Sequence, residues 1–490
     1  MSNLSILGGG IAGLTAAASL SKAGHRIDLI DNNAKVGGRI SSFSKDGFLF
    51  DKGPSWYWMP DVFERFFNEF GRTQADFYDL KQLDPGFKIF YGEEDTLIVP
   101  SNREALYEVF ENIEKGSADK LKLFLQDAQI KYDLSMADLV YNPSLSWMEF
   151  VNKRTIEGVI KNKIFQSFDK HVRKYFKDDR LIQLMEFPVL FLGAKPSNIP
   201  SLYSLMNHAA LNQGTFYPMG GMIKIAEAFE RIAKEQGVEI HCGETVQKIG
   251  IDKGRIIQVH TNKQDFRTEG AVIGMDYHHF EQNILESGWR NYDEAYWDKR
   301  TLSPSSLIFF LGIDKKIDHL EHHNLFFDTD FEKHAAEIYD TKEWPTDPLF
   351  YVCCPSKTDP EVAPIGSENL FVLIPIAPGI ADTEFVRKKY LDLIISRMEK
   401  ICKTKIKENI VVQESYCIKE FKEEYNSYKG NAYGLANTYM QTAVLKPSML
   451  NPKIKNMVYA GQLTVPGPGL PPAIISGQIA SSLLQKQINN

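Results

Sequence analysis

Gly8, Gly10 and Gly13 form a Gly-x-Gly-x-x-Gly turn between an apolar run, residues 4–7, and a proline-free stretch rich in Ala, Leu and Ser, residues 11–23. A second apolar run, residues 26–30, follows and ends on Asp31. That order predicts a strand, a tight turn, a helix and a parallel strand. Each glycine has a mechanical reason. Gly8 permits the turn, Gly10 lets backbone approach a pyrophosphate, and Gly13 lets the helix lie close to the sheet. The helix start at Ile11 and Ala12 offers free N–H groups and the positive end of a dipole to phosphates. Asp31, with Asn32 beside it, is placed to accept ribose hydroxyls. The motif alone is weak evidence. In this strand–helix–strand context it predicts a bound dinucleotide.

Two further segments narrow the dinucleotide to FAD. Gly37-Gly38-Arg39 closely follows the acidic residue, and Asp51-Lys52-Gly53-Pro54-Ser55 comes soon after. This pattern resembles the glutathione-reductase-type flavoproteins, and the resemblance implies that Gly38, Arg39, Gly53, Pro54 and Ser55 lie against the cofactor. The usual acid after the second strand is Glu; Asp31 is one methylene shorter and keeps the same acceptors. The C-terminus returns to nucleotide binding. Residues 457–460 read as a strand, residues 473–487 as a helix, and the loop between them is dense in glycine and proline. Gly461, Gln462, Gly469, Leu470, Pro471 and Ile474 are placed on the far wall of the FAD site. Val246, which opens a strand after an amphipathic helix at 223–236, joins them.

The expected fold is α/β: a glutathione-reductase-type Rossmann FAD-binding domain, a second mixed-sheet substrate domain, and a helical, membrane-facing subdomain. The FAD-binding domain is assigned to residues 1–75, 215–285 and 425–490. The substrate domain takes 76–105 and 286–424, and the helical subdomain takes 106–214. An apolar fraction of 43% suffices for large cores. The net charge of −7, with acid and base interspersed, argues against a nucleic-acid partner. The longest apolar runs, 187–194, 307–313 and 370–381, fall well short of the ~18 residues of a spanning helix. The first strand starts by Leu4, which leaves no room for a signal peptide and sets the expectation of a cytoplasmic protein. Five cysteines without a Cys-x-x-Cys spacing predict buried thiols rather than disulfides or zinc.

Nearly the whole chain resembles the bacterial carotenoid (phytoene) desaturase family. Gly461, Thr464, Pro466, Gly467, Gly469 and Pro471 match its C-terminal signature, and Tyr217, Pro218, Gly220, Gly221 and Met222 match its Tyr-Pro-x-Gly-Gly-Met segment. Residues 186–193, 201–206, 355–366 and 430–435 are similar to its central region, closest to the hydroxycarotenoid 3,4-desaturase branch. One departure is Lys446-Pro447, where many members carry Arg-Pro. The resemblance implies that two hydrogens leave adjacent carbons of a polyene, one as hydride to flavin N5 and one as a proton. A quinone or oxygen then takes the electrons. Glu149, in a Ser-x-x-acid segment, is the candidate base. Alternatives are a phytoene desaturase or carotene isomerase of the same family, a flavin amine oxidase, and a flavin-free prenyl-binding module of the same fold.

No metal is expected. His319, His322 and His323 have no carboxylate or further histidine at a ligand spacing and read as loop and packing residues. A carotene dissolves in bilayers, so the family implies peripheral attachment to the inner face of the cell membrane. The candidate element is a basic amphipathic helix. Ile164, Phe165, Phe168, Val172, Tyr175 and Phe176 form one side, ringed by Lys161, Lys163, Lys170, Arg173, Lys174 and Lys177.

Overall fold

The structure, a computed structural model, describes residues 1–150, 166–190 and 193–489. Two sheets organise it. The first has six strands in the order Leu450–Asn451, Ile454–Tyr459, Ala271–Ile273, Asn3–Leu7, Arg26–Asp31 and Glu239–Cys242. All neighbours are parallel except the first pair. The central strand Asn3–Leu7 is covered on both faces: Leu4 and Ile6 meet helices, and Leu7 packs with an antiparallel meander on the other side. The helix Ile11–Lys22 packs between Ile223–Glu235 and Leu470–Asn489. Its small residues Ala16, Ala17 and Ala18 are all fully buried, which is what lets three helices crowd together. A three-stranded antiparallel meander, Val246–Asp252, Arg255–Thr261 and Asp265–Arg267, is inserted before Ala271–Ile273.

The second sheet has seven strands in the order Ile410–Tyr416, Ser305–Ile313, Glu368–Ile376, Phe350–Cys353, His323–Phe326, Phe87–Phe90 and Thr96–Val99. It is antiparallel except where His323–Phe326 meets Phe87–Phe90. Side chains alternate faces along a strand. Leu307, Phe309, Leu311, Leu370, Val372 and Ile374 therefore point one way, into a core shared with the helix Glu384–Cys402. Ile308, Phe310, Leu325, Tyr351 and Phe371 point the other way, toward the rest of the molecule. Cross-strand register sets His323 opposite Cys353 and Leu325 opposite Tyr351.

The helices Arg103–Ile113, Ser117–Asp138, Phe168–Val172 and Asp179–Leu190 form the third region. Here one sequence expectation is corrected. Phe168, Val172 and Phe176 do not face outward: all three are buried, and the Phe176 ring meets Phe110 and Phe124 at 5.4 and 6.2 Å. The helix is only five residues long, and its apolar side is needed to close the protein's own core. Ile164, Phe165, Lys161 and Lys163 lie outside the described residues. Among the described residues, no helix is long and apolar enough to cross a membrane.

Candidate functional site

A continuous cavity runs from the first helix to the inner face of the seven-stranded sheet. Its first half is built by the glycine turn. Gly8 has φ +105°, and a Cβ there would lie 2.6 Å from the Met275 nitrogen. A Cβ on Gly13 would lie 2.0 Å from the Gly8 carbonyl oxygen. Both positions are closed to any side chain by neighbouring backbone. Gly10 differs: a Cβ there would meet nothing nearer than Gly38 Cα at 4.0 Å, and Gly10 faces the cavity. A side chain would fill the space beside the helix start, where Gly10 caps Ile11–Lys22 with no side chain bonded to the first N–H groups.

The Gly37-Gly38-Arg39 segment folds onto this turn. Gly37 N–H donates to Gly9 O at 2.8 Å, and Arg39 stands over the Tyr425 ring at 5.2 Å. The Arg39 guanidinium donates to Ser427, while its buried Nε has no partner. Burial pulls its pKa down, and nearby Asp276 and Tyr425 oppose that. Asp31 accepts from Gly9 N–H at 2.6 Å and Asn33 N–H at 2.7 Å. A carboxylate has about four acceptor positions, so capacity remains for ribose hydroxyls. Burial raises its pKa, and the two backbone donors counter that. The open Gly10 cradle, the unpartnered Arg39 Nε and the spare acceptors of Asp31 fit a dinucleotide diphosphate and its ribose.

Gly8, Gly10, Ile11, Ala12, Asp31, Asn32, Gly38, Arg39, Gly53, Pro54, Ser55, Val246, Gly461, Gln462, Gly469, Leu470 and Pro471 all line this one cavity. Gly13 and Ile474 stand behind its wall, Ile474 fully buried. The carboxyl ends of the parallel strands Asn3–Leu7, Arg26–Asp31, Ala271–Ile273 and Ile454–Tyr459 converge there, which is where open α/β sheets hold ligands. Sequence reasoning missed Gly274, Met275, Asp276, Thr245 and Tyr425, which also line it. The signal was present in Ala271-Val272-Ile273-Gly274, an apolar strand ending on glycine. Its N–H groups at Gly274 and Met275 donate to Leu7 O at 2.7 and 2.8 Å.

Asp51 explains two motifs at once. Its carboxylate accepts from Met222 N–H at 2.7 Å and Ile223 N–H at 3.1 Å, and burial raises its pKa to about 6. The Tyr-Pro-x-Gly-Gly-Met segment thus anchors the Asp51–Ser55 loop rather than touching ligand through its own polar atoms. Lys446, at the Arg-Pro departure, is buried behind Gly467 with its Nζ unpartnered; burial lowers its pKa to about 7.

The cavity's second half is apolar. Phe187, Leu325, Phe327, Phe331, Phe371 and Leu373 form its walls. No Asp, Glu, Lys or Arg lines this half among the described residues. His334 does, but its Nε2–H donates to Pro375 O at 3.0 Å and its Nδ1 accepts from Leu349 N–H at 3.0 Å. Both nitrogens are occupied, and burial lowers its pKa to about 4. Ser306, Tyr339, Tyr351 and Tyr433 supply hydroxyls, with Tyr339 and Tyr433 beside each other. Glu149 lies elsewhere. Its carboxylate accepts from the N–H groups of Ser144, Leu145 and Ser146 at 2.8, 2.7 and 3.1 Å and so closes its own loop. It is not among the described residues that line the cavity.

The histidines separate. His319 is on an exposed loop. His322 and His323 are buried behind the cavity wall, with Cys353 completing a group whose ligand atoms lie within 4.8 Å of one another. Cys353 was invisible to the sequence reading because only strand register brings it opposite His323. His322 Nδ1 pairs with Thr358 Oγ1 at 2.8 Å and His323 Nδ1 with Tyr351 Oη at 2.6 Å, and both Nε2 atoms are unpartnered. Burial drives the His322 pKa down to about 3 and holds that of His323 well below its ordinary value.

Comparison with known proteins agrees with this geometry. A carotenoid 3,4-desaturase of Haloarcula japonica is 35% identical over 487 residues, covering 99% of this chain and 98% of that protein. A 4,4'-diapophytoene desaturase (4,4'-diaponeurosporene-forming) of Staphylococcus haemolyticus is 29% identical, with 99% of each chain covered. Among solved structures, an oxidoreductase from Methanosarcina mazei superposes with a TM-score of 0.65 at 16% identity, over 97% of this chain and 99% of that one. The family model described as flavin containing amine oxidoreductase matches residues 11–484. The cofactor is FAD, and the chain belongs to the flavin-containing amine oxidoreductase family.

Proposed function

We propose that the protein is an FAD-dependent carotenoid desaturase that introduces a C=C bond at one end of a hydroxylated carotene, by 3,4-desaturation. The observation that carries this reading is the single cavity whose nucleotide half continues into a half walled by aromatic and aliphatic side chains without a charged group. A polyene fits such a wall, and an amine does not, since nothing there balances its charge. The full-length likeness to named carotenoid desaturases supports the same reading.

Bound FAD supplies the hydride acceptor. The chain's own residues do the rest by binding and exclusion. Phe187, Phe327, Phe331 and Phe371 hold the polyene in a dry channel, so the reacting C–H bond is presented without competing water. Hydride loss next to a conjugated chain leaves a delocalised cation, which makes the neighbouring C–H acidic. No strong base is then needed, in keeping with the occupied His334 nitrogens. Ser306, Tyr339 and Tyr433 are the polar point where a substrate hydroxyl is held. A quinone or oxygen reoxidises the flavin.

The substrate enters from a membrane surface. Leu145, Trp147 and Met148 support this: they are 43%, 59% and 76% exposed on one short segment. Trp beside exposed aliphatic side chains suits a bilayer interface. In this reading the protein attaches to the inner face of the cell membrane.

The deciding experiment is expression in cells that accumulate different carotenes, with pigment chromatography. One new double bond at one end of a hydroxycarotene is the expected product. Conversion of phytoene overturns the 3,4 assignment, and a purified protein without a flavin spectrum overturns the enzyme reading.

A further inference from the structure

The cavity wall carries a hydrogen-bond chain whose direction the geometry settles. Tyr351 Oη donates to Ser55 Oγ at 2.9 Å. A phenol has one proton. At its second contact, His323 Nδ1 at 2.6 Å, Tyr351 must therefore accept. His323 is then the Nδ1–H tautomer, and its buried Nε2 is a bare lone pair, in agreement with the lack of a partner there. Trp56 stacks on the imidazole with ring centroids 4.0 Å apart and planes 14° apart, which fixes the ring's orientation.

The chain ends at Ser55. Its Oγ accepts from Tyr351, so its own hydrogen points away from the phenol. No group among the described residues is in position to take it. Ser55 lines the cavity at the junction of the two halves. On one side Gly53 is pressed against Arg39, where a Cβ would lie 1.9 Å from the carbonyl oxygen. On the other side stand Trp56, Tyr351 and the apolar walls. A dinucleotide held at Gly10 and Asp31 would extend along the same cavity toward this junction, its redox-active ring farthest from Asp31.

We propose that Ser55 donates a hydrogen bond to the electronegative edge of the flavin ring, and that Tyr351 and His323 are positioning residues that hold it in the donating orientation. The proposal rests on the FAD reading of the cavity. The reduced ring is the richer in electrons, so a donor at its edge stabilises the reduced form more than the oxidised one and raises the reduction potential. The flavin becomes a better hydride acceptor without any charged residue entering the dry channel. Truncating Ser55 removes the donor. Truncating Tyr351 leaves the donor but frees the Ser55 hydroxyl to rotate.

The test measures midpoint potential and visible absorption of the purified FAD-containing protein, with Ser55→Ala, Ser55→Thr and Tyr351→Phe. Ser55→Ala is expected to keep FAD but show a more negative potential and a displaced flavin band. Ser55→Thr should restore both. Tyr351→Phe keeps every carbon atom in place and is expected to shift the potential in the same direction by less. A wild-type potential and spectrum in Ser55→Ala overturn the proposal, as does an unchanged potential in Tyr351→Phe. Wild-type protein without FAD instead overturns the flavin reading itself, so the two failures are distinguishable.

Discussion

Gly13 Cα lies directly beneath the Gly8 carbonyl, so close that a Cβ would fall 2.0 Å from its oxygen. The contact is backbone to backbone and cannot be relieved by a rotamer change. Gly13→Ala must therefore push the helix off the turn, at a cost of about 3 kcal/mol or more. The expected result is protein with little bound flavin and a lowered melting temperature, read as the ratio of flavin to protein absorbance and by thermal melting. Wild-type flavin content would show that the turn tolerates the shift.

Glu186 is 2% exposed, and its Oε1 has no partner. Burial raises its pKa from 4.5 to about 7, with Asp169 and Glu332 adding to the rise and Arg173 opposing it. The folded chain holds this proton more tightly than the unfolded chain. Its contribution is thus fully present below pH 4.5 and is lost as the pH climbs through about 7. Glu186→Gln removes that loss, a gain of at most about 3 kcal/mol on the alkaline side. Melting curves at pH 5 and pH 8.5 are expected to converge in the variant. A wild-type slope in Glu186→Gln excludes this carboxyl as its source.

Glu149 holds three backbone N–H groups of its own loop and does not line the cavity. Glu149→Gln keeps one acceptor oxygen and is expected to leave flavin content unchanged and turnover within about twofold of wild type. Limited proteolysis around residue 145 should quicken instead. A large drop in turnover with intact flavin would restore a chemical role.

Ser306 and Tyr433 stand together at the polar point of the apolar half. A site built to bond a hydroxyl discriminates against substrates that lack one. Ser306→Ala combined with Tyr433→Phe is expected to reduce the preference for a hydroxylated carotene over its parent by about tenfold, roughly one well-made hydrogen bond. Competition between the two substrates, followed by pigment chromatography, measures this. An unchanged ratio would move hydroxyl recognition elsewhere.

Trp147 and Met148 are expected to carry membrane attachment in place of the buried face of Phe168–Val172. Trp147→Ala with Met148→Ser should lower the fraction that floats with liposomes several-fold, the loss of two exposed apolar side chains being worth roughly 2 kcal/mol. Equal flotation would point to other residues.

How much was legible follows from distance along the chain. The nucleotide half was readable because Gly8 to Asp31 is a local unit, with each glycine placed against its own turn or helix. The loop after Gly461 was readable because its Gly and Pro residues break regular structure as far as Gly469, while Pro471 and Pro472 suit the first turn of the helix Leu470–Asn489. Gly274–Asp276 was harder, since only its parallel pairing with Asn3–Leu7 makes it part of the site. The helix around Phe168 misled because an amphipathic pattern records that one face is apolar, not what covers it.

The cofactor, the βαβ unit that holds it and the kind of enzyme this chain resembles are written in the order of residues alone. The βαβ unit rests on short-range geometry that residue type dictates, and the cofactor and enzyme class on motifs that resemble a known family. Folding in three dimensions settled the rest. Strand register set Cys353 opposite His323, alternation aimed Tyr351 at the cavity, and the Asp51–Ser55 loop met both. No spacing in the sequence encodes a hydrogen bond between residues 296 positions apart, so the orientation of Ser55 could come only from the folded sheet.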